Sequence, residues 1–188
     1  MATPRGSVGK KKGDGPSPVS GGPAPRMRPA DASDADALWS MLAPTFRAGD
    51  TYAIEPDISR QDALAYWTGA PNRVWIAEAA GRAAGSFYLR PNQRGGGAHV
   101  ANAGFVTAPE ARGRGVARAM LAFAEAEAVR CGLNAMQFNF VVETNAPALH
   151  LWRSAGYAVV GRLPRAFRHP ARGLVDALVL HKMLAREE

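Results

Sequence analysis

Two short runs in this chain combine residue types and spacings that could do chemistry. The first is Arg112-Gly113-Arg114-Gly115-Val116-Ala117, placed where a β-rich run ending at Val106 gives way to a strong helical pattern that starts at Val116. Glycines there let the backbone approach a ligand without a Cβ in the way, and the first N–H groups of a helix have no intrahelical acceptor. With two arginines beside them, such groups suit a phosphate or pyrophosphate, to which the helix dipole adds about 0.3–1 kcal/mol. The plain alternative is a tight strand-to-helix turn with a solvated Arg-Gly segment. The second run is Asn145 to Tyr157, and two further asparagines, Asn102 and Asn139, fall in β-rich runs that could lie beside it. An amide donates and accepts without changing charge, so such a set can orient a carboxylate, another amide or a water; local capping and pairing is the ordinary use of the same residues. Gly6 to Lys12, GSVGKKK, is not a phosphate loop: it lacks the four-residue spacing between glycines, the Ser or Thr after Lys, and a preceding strand.

The elements that must position these runs are legible in outline. Residues 30–42 and 59–67 read as helices, the first opened by Asp31, Ser33 and Asp34 as candidate caps and striped by Ala37, Leu38, Met41 and Leu42. Residues 72–78, 83–90 and 98–106 read as a three-strand meander punctuated by Gly81 and the 92–97 turn cluster. Residues 116–130 form the strongest helical pattern, stopped by Gly132. A strand over 135–142, a helix over 146–154 and strands over 157–163 and 175–184 follow, the last two joined by a long loop with Arg165, Arg168, His169 and Arg172. With a leading strand near Met27, this order predicts an α/β (α+β) domain rather than a doubly wound nucleotide fold, whose glycine fingerprint would follow a first strand near the start.

Composition bounds the rest. The chain has 188 residues, 47% of them hydrophobic, and a net charge of +7. Five of those seven charges sit in residues 1–28, where 14 positions are Gly, Pro or Ser, so residues 1–26 read as a disordered basic tail and residues 27–188 as one domain. That placement makes nucleic acid an unlikely partner for the domain, because its own excess is only +2. No apolar run is long enough to span a bilayer or serve as a secretory leader, so a cytoplasmic protein with no membrane partner is expected. The single cysteine, Cys131, has no partner for an intramolecular disulfide, and no residue spacing suggests a metal site.

The two runs resemble the paired motifs of the GNAT superfamily of acetyl-CoA-dependent N-acetyltransferases. Its pyrophosphate motif, Q/R-x-x-G-x-G/A, is matched by Arg112, Gly115 and Ala117; its second motif, N-x-x-A-x-x-L-Y-x-x-x-G-F/Y, by Asn145, Ala148, Leu151, Gly156 and Tyr157. The resemblance covers residues 27–188 and implies a mixed, mostly antiparallel sheet of six to seven strands flanked by about four helices, with two central strands splayed around the pantetheine arm. It implies acetyl-CoA as co-substrate, held by Phe105, Val106, Arg112, Gly113, Arg114, Gly115, Val116, Ala117, Asn145 and Trp152, with a backbone N–H from Gly104 to Val106 meeting the thioester carbonyl. A homodimer is compatible with it. The segments NAGFV, FNFVVETN and AFRHPARGLVDALV are similar to a subgroup that includes the fungal azetidine-2-carboxylate N-acetyltransferases, whose matching asparagines bind a proline-like substrate and assist catalysis.

The resemblance departs at Trp152, where many members have the Tyr that protonates the leaving thiolate. Indole N–H has no usable acidity, yet a thiol of pKa about 8.5 leaves as thiolate only roughly 2 kcal/mol uphill at pH 7, so a hydrogen bond or water could serve. An aliphatic amine of pKa near 10.4 is the harder case, at roughly 4 kcal/mol for the neutral form at pH 7.4, so something must take its proton. Glu143, His99, Glu78 and Asp176 are the candidates, with Glu143 first and acting alongside Asn139 and Asn145; Asn102, Asn139, Tyr52, Trp67 and Phe46 are candidates for the acceptor site. The expected activity is acetyl transfer to the amine of a small molecule, an amino acid or proline-like imino acid among them, by direct attack, since Cys131 lies at the far end of the long helix from the glycine loop. A protein or peptide acetyltransferase and a non-enzymatic acyl-CoA sensor are the rival readings.

Overall fold

A computed structural model describes residues 24–184, so the expectation for the tail lies almost wholly outside the described residues. The elements are β1 (Arg26–Pro29), α1 (Ala35–Ala48), α2 (Arg60–Thr68), β2 (Arg73–Ala79), β3 (Arg82–Pro91), β4 (Val100–Thr107), α3 (Val116–Arg130), β5 (Ala135–Val142), α4 (Ala146–Ser154), β6 (Ala158–His169) and β7 (Gly173–Met183). The strands form one sheet in the order β1-β2-β3-β4-β5-β7-β6, antiparallel except for β4 beside β5. This is the mixed α+β sheet anticipated above.

The parallel pair matters most. It holds only at Val100↔Ala135 and Ala101↔Met136, after which the strands diverge. The Asn102 side-chain amide, donating to the Gln137 carbonyl at 2.9 Å, is the last link across the opening. Two helices cover each face. Trp67 of α2 packs edge-on to Tyr88 at 5.1 Å and donates to the Ser86 hydroxyl at 3.0 Å on one side. On the other, Phe123 of α3 meets Phe87 at 6.1 Å, and Trp152 of α4 meets Phe105 and Phe138 at 5.3 and 4.4 Å. Burying these aromatic rings with the aliphatic core on both faces stabilises a fold that has no disulfide.

At the entry to α1, Asp31 accepts from the Ser33 N–H at 2.8 Å while Asp34 accepts from the Asp31 N–H at 2.9 Å. Arg28 of β1 donates to both oxygens of the buried Asp34 at 2.7 Å and to Glu78 at 2.7 Å. That guanidinium holds the Asp34 carboxyl below its ordinary range despite burial, which pushes the other way.

Two expectations are corrected here. Helix α1 does not stop at Leu42 but runs past Pro44 to Ala48, ending at Gly49 with φ +61°. A proline removes one helical hydrogen bond, and the next turn is retained because Phe46 is buried there and the Thr45 hydroxyl donates to the Met41 carbonyl at 3.0 Å. The 164–173 loop is instead mostly strand: β6 and β7 form a long hairpin interrupted by irregular pairing between Leu163 and Phe167. Pro164 and Arg165, the latter at φ +53°, look like loop residues because they make this bulge, and a proline is tolerated since β6 is the sheet's edge.

Candidate active site

The segment between β4 and α3 gathers backbone N–H groups that have no acceptor among the described residues. Gly113 and Gly115 sit at φ +73° and +79°, and a Cβ at either would meet nothing within 4 Å. The glycines are therefore required by backbone conformation rather than by crowding. Because the first backbone bond to the helix start runs from the Ala119 N–H to the Gly115 carbonyl, the amides of Gly113, Gly115, Val116, Ala117 and Arg118 have no acceptor among the described residues. Five such donors at the N-terminus of a 15-residue helix form an anion cradle, and Arg112 and Arg118 stand at the same wall. Arg114 does not line that wall, and its N–H points back to the Ala111 carbonyl at 3.4 Å. Its expected share in the site is thus reduced to shaping the loop.

From this cradle a cavity of about 1310 Å³ runs through the opening between β4 and β5 to the side covered by α1 and α2. The strand register decides which groups face it. Asn92 N–H donates to Val100 O and Ala108 N–H to Ala84 O, so even-numbered residues of β4 are bonded to β3 and odd-numbered ones turn their N–H and C=O toward β5. Of residues 104–106, only Phe105 thus has its amide in the opening. That amide donates to the Tyr52 hydroxyl at 3.0 Å, and the same hydroxyl donates to the Phe105 carbonyl at 2.8 Å. Tyr52, a candidate for the acceptor site by sequence, therefore takes the part of a missing neighbouring strand, and burial pushes its phenol well above the ordinary range.

The three asparagines all line the cavity. Asn102 is buried and spends its N–H₂ on Gln137, leaving its oxygen without a partner among the described residues. Asn139 accepts from Gln137 Nε2 at 2.8 Å and donates at 2.6 Å to Oδ1 of Asn92, the residue that follows β3 and lies level with Val100. Asn145 caps α4, its oxygen accepting from the Ala148 N–H at 3.2 Å while its N–H₂ stays available. Trp152 is 7% exposed, so it is both core and cavity wall, and its indole N–H has no acceptor among the described residues.

Other expected site residues are elsewhere. Trp67 and Phe46 are fully enclosed in the core and do not reach the cavity; their neighbour Tyr66 does. Glu143 points away, to Arg162 at 2.7 Å, and the same guanidinium bonds Asp176 at 2.7 Å. Asp176 also accepts from the Arg165 N–H, and these two contacts hold its carboxyl below the ordinary range. Glu78 belongs to the Arg28 cluster, and His99 is not on the wall. Asp50 is the carboxylate and His169 the imidazole that line the cavity among the described residues, and neither carries a motif that would single it out in sequence. Glu143→Gln should accordingly leave kcat within about twofold of wild type and abolish no limb of the pH–rate profile. A hundredfold fall in kcat would restore it as the base.

The chain matches the model of the acetyltransferase (GNAT) family over residues 35–157. It is 32% identical over 96 residues to N-acetyltransferase aca1 of Schizosaccharomyces pombe, a match spanning 50% of this chain and 46% of that one, so about half the length of this curated relative. A GCN5-related N-acetyltransferase from Kribbella flavida superposes with a TM-score of 0.80 at 40% identity, covering 85% of this chain and 98% of that one. The phosphinothricin acetyltransferase of Sinorhizobium meliloti in complex with AcCoA shares the fold at a TM-score of 0.75 and 18% identity, over 86% and 89% of the two chains. With the match covering more than half of its residues and the glycine-loop cradle in place beside the splayed strands, this chain belongs to the acetyltransferase (GNAT) family of acyltransferases.

Proposed function

We propose that the protein transfers the acetyl group of acetyl-CoA to the amine of a small molecule, an amino acid or proline-like imino acid, by direct attack in a ternary complex. The observation that carries this is the continuity of one cavity: a five-amide anion cradle with Arg112 and Arg118 at one end, and a chamber lined by Asn102 and Asn139 at the other. The cradle fits a pyrophosphate in both charge and backbone room. Acetyl-CoA would supply the activated thioester; the protein's own part is to bind, orient and manage protons.

Phe105 offers the N–H that faces the opening, and Tyr52, which now shares it, stands where it can yield or assist. Trp152 presents an indole donor suited to a leaving sulfur, without acting as an acid. Asn102 keeps its amide oxygen and Asn145 its N–H₂ for orienting the acceptor or a water, and Asn139 is tied to Asn92 beyond the end of β3. Asp50 and His169 are the groups on the wall able to take the ammonium proton, directly or through water. Cys131 sits beyond the C-terminal end of α3, so no thiol is placed to form an acetyl-enzyme. The likeness of NAGFV, FNFVVETN and AFRHPARGLVDALV to the azetidine-2-carboxylate subgroup supports the imino-acid choice.

The test is thiol release from acetyl-CoA against amino acids, proline analogues, polyamines, aminoglycosides and short peptides, with initial rates at several concentrations of both substrates. Turnover on amino or imino acids with intersecting double-reciprocal lines is expected. Parallel lines would overturn direct attack, and turnover confined to peptides would move the acceptor to a protein N-terminus or lysine.

A further inference from the structure

Three arginines line the cavity, and the cofactor cradle accounts for two of them. The third, Arg90, lies near the end of β3 opposite Asn102 of β4. From Asn102 to the end of β4 at Thr107, where the glycine loop departs, five strand residues span about 17 Å, so Arg90 and Arg112 stand at opposite ends of this stretch of the cavity.

Cross-strand partners share a face, so Tyr88, Arg90, Asn102 and Gly104 all project to the side covered by α1 and α2, the acceptor side. The Arg90 guanidinium carbon stands 5.5 Å from the centre of the Tyr88 ring. It makes no hydrogen bond and has no carboxylate within 4.0 Å among the described residues, although its side chain is half-buried. Arg28, the other half-buried arginine among the described residues, is by contrast paired with two carboxylates. A guanidinium drawn partly out of water with its donors unanswered is a group whose partner arrives from outside. Asp50 is on the same cavity wall and does not pair with it, so the chamber presents one cationic and one anionic group together. That mixture suits a zwitterion and disfavours a dianion such as a phosphate ester.

We infer that Arg90 binds the carboxylate of the acceptor, and that this contact selects free amino or imino acids over amines that lack a carboxylate. This rests on the acetyl-transfer reading above and adds to it the residue that sets acceptor class. The fork of the guanidinium meets both carboxylate oxygens in one plane, a geometry lysine cannot reproduce.

The experiment compares wild type, Arg90→Ala and Arg90→Lys on matched pairs, each an amino acid with its amide and its decarboxylated amine, with acetyl-CoA affinity measured by calorimetry on the same preparations. In wild type the acid should be preferred over its amide. In Arg90→Ala the KM for the acid should rise at least 30-fold and that preference should disappear, with Arg90→Lys recovering only part of it and the acetyl-CoA Kd staying within twofold in both. An unchanged acid KM in Arg90→Ala overturns the assignment, as does a wild type that acetylates the amide or the amine as well as the acid. A wild type that binds acetyl-CoA but neither binds nor acetylates any amino or imino acid also overturns it while leaving the cofactor site standing. No acetyl-CoA binding at all would instead remove the acetyl-transfer reading, and this inference with it.

Discussion

Gly115→Asp is expected to lower acetyl-CoA affinity by at least a hundredfold, about 3 kcal/mol, while leaving the protein folded. Gly115 is the residue before the first turn of α3, at φ +79°. An L-residue there pays roughly 1–2 kcal/mol for the left-handed conformation, a cost that Asp lowers because its short side chain tolerates that region. A carboxylate at a helix N-terminus is also favourable to the helix itself. The protein should therefore survive, but the new charge competes for the amides of Val116, Ala117 and Arg118, whose lack of any other acceptor made them an anion site. Gly115→Asn separates shape from charge: it places the same atoms without the charge, and should lose about tenfold or less. Calorimetric titration with acetyl-CoA reads both. Equal affinities for Gly115→Asp and wild type would mean that the pyrophosphate is bound somewhere else.

What the sequence made legible follows the range of the forces involved. Helix α3, strand β5 and helix α4 lie where local periodicity, a stop glycine and an asparagine cap place them, since each signal is complete within one element. The glycine loop is equally local, and its positive φ angles follow from residue type. The acceptor end was harder because it depends on which side of a strand a residue faces, and that is fixed by distant partners. Glu143 was plausible by proximity in sequence, but its backbone N–H pairs with the Asp176 carbonyl and its side chain is turned to Arg162 on the edge hairpin. Trp67 and Tyr66 are adjacent on α2 and exchange roles through a rotation of one residue: Trp67 finds the Ser86 hydroxyl under the sheet, and Tyr66 is left at the cavity. Glu143 and Arg162 are 19 residues apart, as are Trp67 and Ser86, so neither contact falls within the span of a single element. Arg90 is illegible in sequence for the same reason, because what sets it apart is partial burial without a carboxylate partner, which only the assembled molecule displays.

Gly104 is the second position where a small change should have a large effect. Unlike Gly115 it does not have a positive φ; what it lacks is room. A Cβ built there would lie 2.7 Å from Tyr88 Cζ and 2.9 Å from its hydroxyl oxygen, in direct overlap with the ring. That ring is 5% exposed and held edge-on by Trp67 at 5.1 Å and Tyr66 at 6.4 Å, so it has nowhere to retreat except into the acceptor chamber. Gly104→Ala should therefore cost about 1–3 kcal/mol in denaturant unfolding, and Gly104→Val more, since interiors packed to this density accommodate added methyl groups poorly. The damage to function should exceed the loss of stability, because a displaced Tyr88 carries with it the aromatic support under Arg90 and narrows the space beside Asn102. Acceptor KM should rise at least tenfold while the acetyl-CoA Kd changes less, because Gly104 and Tyr88 project to the α1/α2 side and the cradle lies beyond Thr107. Tyr88→Leu supplies the decisive control: alone it opens a void and destabilises, but combined with Gly104→Ala it relieves the overlap, so the double variant should be more stable than the sum of the two changes predicts by at least about 1 kcal/mol. Strict additivity between the two would show that the Gly104 backbone and the Tyr88 ring do not touch, and the acceptor chamber would then need a different floor.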